Sequence, residues 1–173
     1  ETDEENWGWS SAAGRIRKAR REDFLSGGGS PDLAVLEIGC GSGTFTAAIA
    51  RAYPRLIATD IADLLVAAAR ERLPNTEFRV MDAHQVDFPD GTFDRVVGCS
   101  VLHHLDCARA LREVLRVVSP TGKNSSNSTM RPGRDEGSGV AVAGSAYSTV
   151  AASFSNASAA SRSLAVAAAS ASC

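Results

Sequence analysis

No stretch of the chain approaches the ~20 consecutive apolar residues that a membrane-crossing helix requires, so no transmembrane segment is expected in these 173 residues. Disulfide and metal patterns are missing too. Cys40, Cys99, Cys107 and Cys173 form neither a C-x-x-C pair nor a His/Cys ligand spacing. That predicts no metal site and a reduced, intracellular chain, with a cytoplasmic location. An excess of one charge is also lacking. Lys and Arg number 18 against 20 Asp and Glu, a net charge of −2 with no nucleic-acid footprint and no pull toward an anionic membrane.

The opening residues, ETDEENWGWSS, have neither the basic region nor the apolar region of a signal peptide. The missing initiator Met points to a fragment or a processed chain. Three N-x-S/T matches begin at Asn124, Asn127 and Asn156, and without secretion they read as chance products of a Ser/Asn-rich tract.

This length supports one domain with a real core, yet composition divides the chain near Lys123. Residues 124–173 hold 13 Ser and 13 Ala with few large apolar side chains. Such a segment buries too little apolar surface to offset its ordering entropy, and disorder is expected there. No internal repeat is visible.

What precedes it is patterned. Ser11–Leu25, SAAGRIRKARREDFL, reads as a helix with a basic face, either solvated or turned toward an anionic substrate, and it breaks at SGGGSPD, Ser26–Asp32. Then strands and helices alternate. LAVLEIG is a short apolar run ending in glycine, a buried strand. GTFTAAIARAY is helical up to Pro54, RLIATD is a second strand, and IADLLVAAARERL a helix closed by Pro74. TEFRVMD is a third strand and FDRVVGCS a fourth, followed by the helix CARALREVLRVV with Leu111, Val114, Leu115 and Val118 on one stripe. The pattern predicts an α/β, Rossmann-like fold: a mostly parallel sheet with helices on both faces. Ligands of such sheets bind beyond the strand C-termini, so the residues that end each strand matter most.

The first strand ends in EIGCGSGTF, where Glu37, Gly39, Gly41 and Gly43 form an E-x-G-x-G-x-G array. Glycines at alternate positions allow a sharp turn and a close ligand approach, and a helix N-terminus favours an anionic group. A dinucleotide fingerprint counted from Gly39 requires Gly or Ala where Thr44 stands, and no G-K-[ST] follows. The loop therefore suits a ligand without a pyrophosphate, with an NAD-binding domain as the lesser alternative. Asp60 ends the second strand ~20 residues later, the distance at which an acid meets ribose hydroxyls. Asp82 ends the third, where it can accept from an exocyclic amine while the Ala83 N–H meets a ring nitrogen. The plainer alternative makes each acid a helix cap or turn residue.

In these motifs residues 33–118 resemble the cofactor half of a class I S-adenosylmethionine-dependent methyltransferase, close to the type 11 small-molecule group. VLEIGCGSGTF resembles the first family motif, IATDIA the second-strand acid, VMDAHQVDFPDGTFDRVV the third and fourth strands, and LREVLRVVSPTGK the approach to a fifth. The resemblance implies S-adenosyl-L-methionine as cofactor, held by Glu37, Gly39, Cys40, Gly41, Gly43, Asp60, Ile61, Asp82, Ala83 and Cys99. It also implies in-line methyl transfer to a small-molecule acceptor. Residues 1–30, with Trp7 and Trp9, would form a helical lid, although the tryptophans suit core packing equally. Residues 31–123 would form the cofactor domain and 124–173 a tail.

His103 is the candidate catalytic base, with His104 beside it in CSVLHHLD, because neutral imidazole can take an acceptor's proton near pH 7. Packing in a loop or capping the next helix is the alternative for either. No Pro-Cys pair and no N-P-P-[YF] is present, which argues against base and glutamine methylation.

The resemblance stops at SPTGKNSSNSTM, Ser119–Met130. The family sheet runs 3-2-1-4-5-7-6, and Asn and Ser are poor strand residues, so the fourth strand is expected to be left as an open edge. A shifted reading frame near Lys123 would explain this, since Asn-Ser-Ser-Asn codons advanced by one nucleotide can encode Ile-Leu-Leu-Ile. Two alternatives to an active methyltransferase follow: a non-catalytic cofactor-binding or interaction module, and an inactive frameshifted product.

Overall fold

The computed structural model describes residues 8–27, 30–118, 141–143 and 149–153. Helix α1, Ala12–Ser26, begins because the Ser11 hydroxyl accepts the Gly14 N–H at 2.9 Å and donates to the Gly8 carbonyl at 2.8 Å. Then follow β1 (Ala34–Ile38), α2 (Thr46–Ala52), β2 (Arg55–Asp60), α3 (Asp63–Arg72), β3 (Glu77–Val80) and β4 (Arg95–Cys99). A 3-10 turn, Leu102–His104, leads into α4 (Cys107–Val117), whose N-cap Asp106 accepts the Arg109 N–H at 3.1 Å. Two further strands are β5 (Ala141–Ala143) and β6 (Thr149–Ser153). Among the described residues, no helix is long and apolar enough to cross a membrane.

The sheet order is β3-β2-β1-β4-β6-β5. Strand β1 pairs in parallel with β2 and with β4, and β2 pairs in parallel with β3. One expectation fails here. Strand β4 is not an open edge, because β6 lies antiparallel along it from Arg95↔Ser153 to Cys99↔Thr149, and β5 continues the sheet beyond β6. Backbone pairing needs only N–H and C=O groups, which any residue but proline supplies. Two short stretches of the Ser/Ala-rich segment can therefore extend the sheet despite their composition. The rest of that segment, and the site of the proposed frame change, lie outside the described residues.

Strand β1 is covered on both faces, as a central parallel strand must be. Leu36 and Ile38 pack with Val96, Val114, Val117 and Val118 beneath α4. On the opposite face, Val35 packs with Leu25, Ile49, Tyr53, Val97 and Cys99, and Ala58 and Phe78 pack with Val66 and Ala69 of α3. The buried stripe of α4 is thus Ala110, Val114 and Val117, running on to Val118, while Leu111 and Leu115 sit half-buried at its margin.

Trp9 belongs to this packing. Its ring is buried and meets Phe45 edge-on, centroids 5.8 Å apart, with the Arg21 guanidinium 5.2 Å from its centroid. Of the two readings of the tryptophan pair, Trp9 follows core packing, and Trp7 lies outside the described residues. The basic residues of α1 are engaged locally: Arg17 lies 6.0 Å from the Trp9 ring, Lys18 pairs with Glu22, and Arg15 donates to the Ser10 carbonyl. The C-terminal end of α1 is tied down by Tyr53, whose hydroxyl donates to the Gly27 carbonyl at 2.7 Å, and by Arg95, which donates to the same carbonyl.

Gly14 makes the seat of α1 testable. A Cβ there would lie 1.8 Å from the Gly8 carbonyl oxygen. Helix propensity alone favours Gly14→Ala by about 1 kcal/mol. The clash reverses that sign, and Gly14→Ala is expected to lose about 1–3 kcal/mol, as overpacked sites do. A urea midpoint that rises instead of falling would contradict this packing.

Candidate functional site

The C-terminal ends of β1, β2 and β3 lie side by side, and the loops leaving them build one edge. The loop after β1 turns through three left-handed glycines, Gly39 at φ +68°, Gly41 at +54° and Gly43 at +83°. At two of them a side chain would also meet a neighbour. A Cβ at Gly39 would lie 2.4 Å from Val101 Cγ2, while one at Gly43 would press on Ala69 and Leu73 at 3.4 Å. At Gly41 a Cβ would meet nothing within 4 Å, so that stretch of backbone borders open space.

Asp60 holds this loop. Its Oδ2 accepts the Gly41 N–H at 2.8 Å and its Oδ1 accepts the Ala62 N–H at 2.9 Å. Ionised, each oxygen keeps a further lone pair for a ligand. Ile61, next in the chain, is 68% exposed despite its apolar side chain. Asp82, two residues past β3, accepts the His84 N–H at 2.8 Å and the His84 Nδ1 lies 2.7 Å from the same oxygen. Hydrogen bonding from the His84 backbone, and then from its ring, holds the Asp82 carboxyl below the usual range. Asp60 and Asp82 therefore both act as turn acids, each accepting the N–H two residues on. Ala83 lies half-buried between Asp82 and His84.

Glu37 is different. It is 2% exposed, and its Oε2 makes no hydrogen bond. Burial pushes its carboxyl from the ordinary 4.5 up to about 7, and the Asp60 charge acts in the same direction. The Thr46 hydroxyl, close by but outside hydrogen-bonding geometry, pulls the other way. Cys40 is buried, and burial followed by the charges of Glu37 and Asp60 raises its thiol far above the usual range, so it is no nucleophile.

At the end of β4, Cys99 is buried against Leu25, Tyr53 and Val97. Ser100 follows at φ +58°, a left-handed conformation unusual for a non-glycine residue. Val101 then fills the space left by two glycines, since a Cβ at Gly98 would also approach it, at 3.2 Å. His103 and His104 are exposed on the 3-10 turn, ring centroids 3.8 Å apart. Partial burial and then its neighbour's charge lower the pKa of His103, which favours neutral imidazole. Neither histidine caps α4, because Asp106 does. Among the described residues, no cluster of three or more metal-ligating side chains occurs. His84, Thr46 and Val101 were not singled out by any motif. Only the two-residue step from Asp82 to His84 hints at a local turn bond in the sequence.

The Glu37 carboxyl sets a stability profile. Between pH 4.5 and about 7 the unfolded chain releases a proton that the folded chain keeps, so stability falls as pH rises through that window and levels off above it. From pH 4.5 to 8, Glu37→Gln should gain about 3 kcal/mol relative to wild type. Urea unfolding across that range checks it, and a pH-independent difference would mean that Glu37 titrates alike in both states.

Residues 36–124 match the family model described as a methyltransferase domain. A Mycobacterium tuberculosis protein named probable S-adenosylmethionine-dependent methyltransferase Rv3030 is 37% identical over 106 residues, covering 58% of this chain and 39% of that protein. The chain thus spans well under half the length of that relative. Among solved structures, the PH0226 protein of Pyrococcus horikoshii matches with TM-score 0.53 and 30% identity over 64% of this chain and 55% of that one. The YcgJ protein of Bacillus subtilis matches with TM-score 0.55 and 25% identity over 61% and 47%. The glycine loop, the parallel order β3-β2-β1-β4 and these matches lead to one conclusion: the chain belongs to the class I S-adenosylmethionine-dependent methyltransferases.

Proposed function

We propose that this chain is the cofactor-binding part of a cytoplasmic enzyme that transfers a methyl group from S-adenosyl-L-methionine to a small molecule. The observation that carries the reading is the loop around Gly41: backbone bordered by open space, anchored by a carboxylate with lone pairs to spare. The donor set fits the cofactor's chemistry. Asp60 suits ribose hydroxyls, Asp82 with the Ala83 N–H suits the adenine edge, and the exposed Ile61 side chain suits the face of the purine. The backbone of Gly39–Gly43 and the Cys99 side would border the methionine portion. Glu37 offers a buried negative charge to a cationic group, which would draw its pKa down and release a proton on binding.

The cofactor supplies a methyl group already activated by its positive sulfur. The protein's part is then alignment and exclusion of water. Val101, wedged between Gly39 and Gly98, couples the loop after β4 to the glycine loop, so the two sides of the reaction space share one rigid contact. His103, biased toward its neutral form, would accept a proton from a hydroxyl, amine or acidic carbon of the acceptor.

Calorimetry on the folded chain tests this. S-adenosylmethionine and its demethylated product should each bind once per chain, without competition from NAD. Asp60→Ala should weaken both by about 10–100-fold, the range for lost hydrogen bonds to a charged group. A folded sample that binds neither would overturn the reading. Binding without turnover across a panel of phenol, amine and carbon acceptors would favour a non-catalytic cofactor-binding module.

A further inference from the structure

The loop after β3 contains a histidine whose protonation is legible from its partners. The backbone N–H of Asp106 donates to Nε2 of His84 at 2.9 Å. A backbone N–H is always a donor, so Nε2 carries a lone pair and the ring proton sits on Nδ1. That Nδ1 lies 2.7 Å from Oδ1 of Asp82, which also accepts the His84 backbone N–H. One residue thus grips Oδ1 twice. Oδ2 takes no hydrogen bond among the described residues. The Asp82 side chain is 45% exposed, so Oδ2 can be reached from outside. A carboxylate with one oxygen clamped and the other open is oriented for a ligand donor by its supporting shell.

The same ring spans two loops. Asp106 caps α4 just after the turn that carries His103 and His104. His84 therefore ties the loop after β3 to the loop after β4. Arg109 is the nearby cation, and its charge helps to keep both Asp82 and Asp106 ionised, after the hydrogen bonds from the His84 and Arg109 N–H groups respectively.

We propose that His84 is a positioning residue for the adenine end of the site: its Nδ1–H fixes Asp82 so that Oδ2 is left to accept from the exocyclic amine. The role rests on the cofactor reading above. A merely structural His84 would stabilise the loop without distinguishing one purine from another, and that difference can be measured.

The probes are S-adenosylhomocysteine and its analogue whose purine lacks the 6-amino group, titrated calorimetrically into the full chain. Wild type should prefer the amine-bearing ligand by roughly 10–100-fold, as one hydrogen bond to a charged group allows. In His84→Ala the preference should fall to about threefold or less, with affinity for the amine-free analogue little changed. His84→Asn, whose side-chain amide can stand in for Nδ1–H, should keep most of the preference. Equal losses for both ligands in His84→Ala, or an unchanged preference, would overturn the role while leaving the cofactor reading in place. Failure of folded wild type to bind either ligand would overturn both. Nitrogen NMR of the ligand-free chain gives a further check should His84→Ala not fold: a proton on Nε2 instead of Nδ1 at pH 7–8 would also overturn the role.

Discussion

Asp60 receives the Gly41 N–H through one oxygen and the Ala62 N–H through the other, and these bonds keep the loop after β1 folded against the end of β2. The loop's conformation is otherwise left-handed at three positions. An unanchored glycine turn of that kind would cost much conformational entropy to order. A charge-assisted bond from a carboxylate is among the stronger means of holding a backbone N–H in place. Placement of Gly41 beside open space, the approach of Asp60 to Glu37 and the start of α3 all follow from it.

The constraint is set one level down, by burial. Strand β1 has no face exposed to water, so polar chemistry can gather only where its chain leaves the sheet. Glu37 is the exception, an acid inside the strand itself and 2% exposed. Its raised pKa is the direct result of that placement. The loops after β3 and β4 are then brought in by side chains. Val101 occupies the room that Gly39 and Gly98 leave, and Arg116 donates to the carbonyls of Val86 at 2.7 Å and Phe88 at 2.8 Å while pairing with Glu113 and Asp90. Together these contacts give three loops from distant parts of the chain a common, rigid frame.

Much of that frame could be read from hydrophobic period and breaker residues. Pro54 and Pro74 closely follow the ends of α2 and α3, and the apolar runs around Leu36, Ile57 and Val96 became adjacent parallel strands. Boundaries were less legible. The third strand was expected to reach Asp82 but stops at Val80, because Asp82 bends the chain by accepting from its own i+2 neighbour. Leu111 and Leu115 satisfied a helical stripe on paper, yet Ala110 and Val117 took the buried places. Stripe position depends on how α4 is rotated over β1 and β4, and that rotation is set by contacts outside the helix.

The sequence by itself determined the α/β alternation, the glycine loop and the acids at or near the ends of three strands, since each is written in residues close together along the chain. It also marked the family, because that local text is specific in combination. Only the tertiary structure decided that Trp9 packs on Phe45, that β6 covers β4 and that His84 bridges Asp82 to the head of α4. Apart from the local bond between His84 and Asp82, those contacts join residues 22 to 58 positions apart, and several depend on backbone groups that every residue carries. Composition and spacing along the chain carry no record of which such groups will meet.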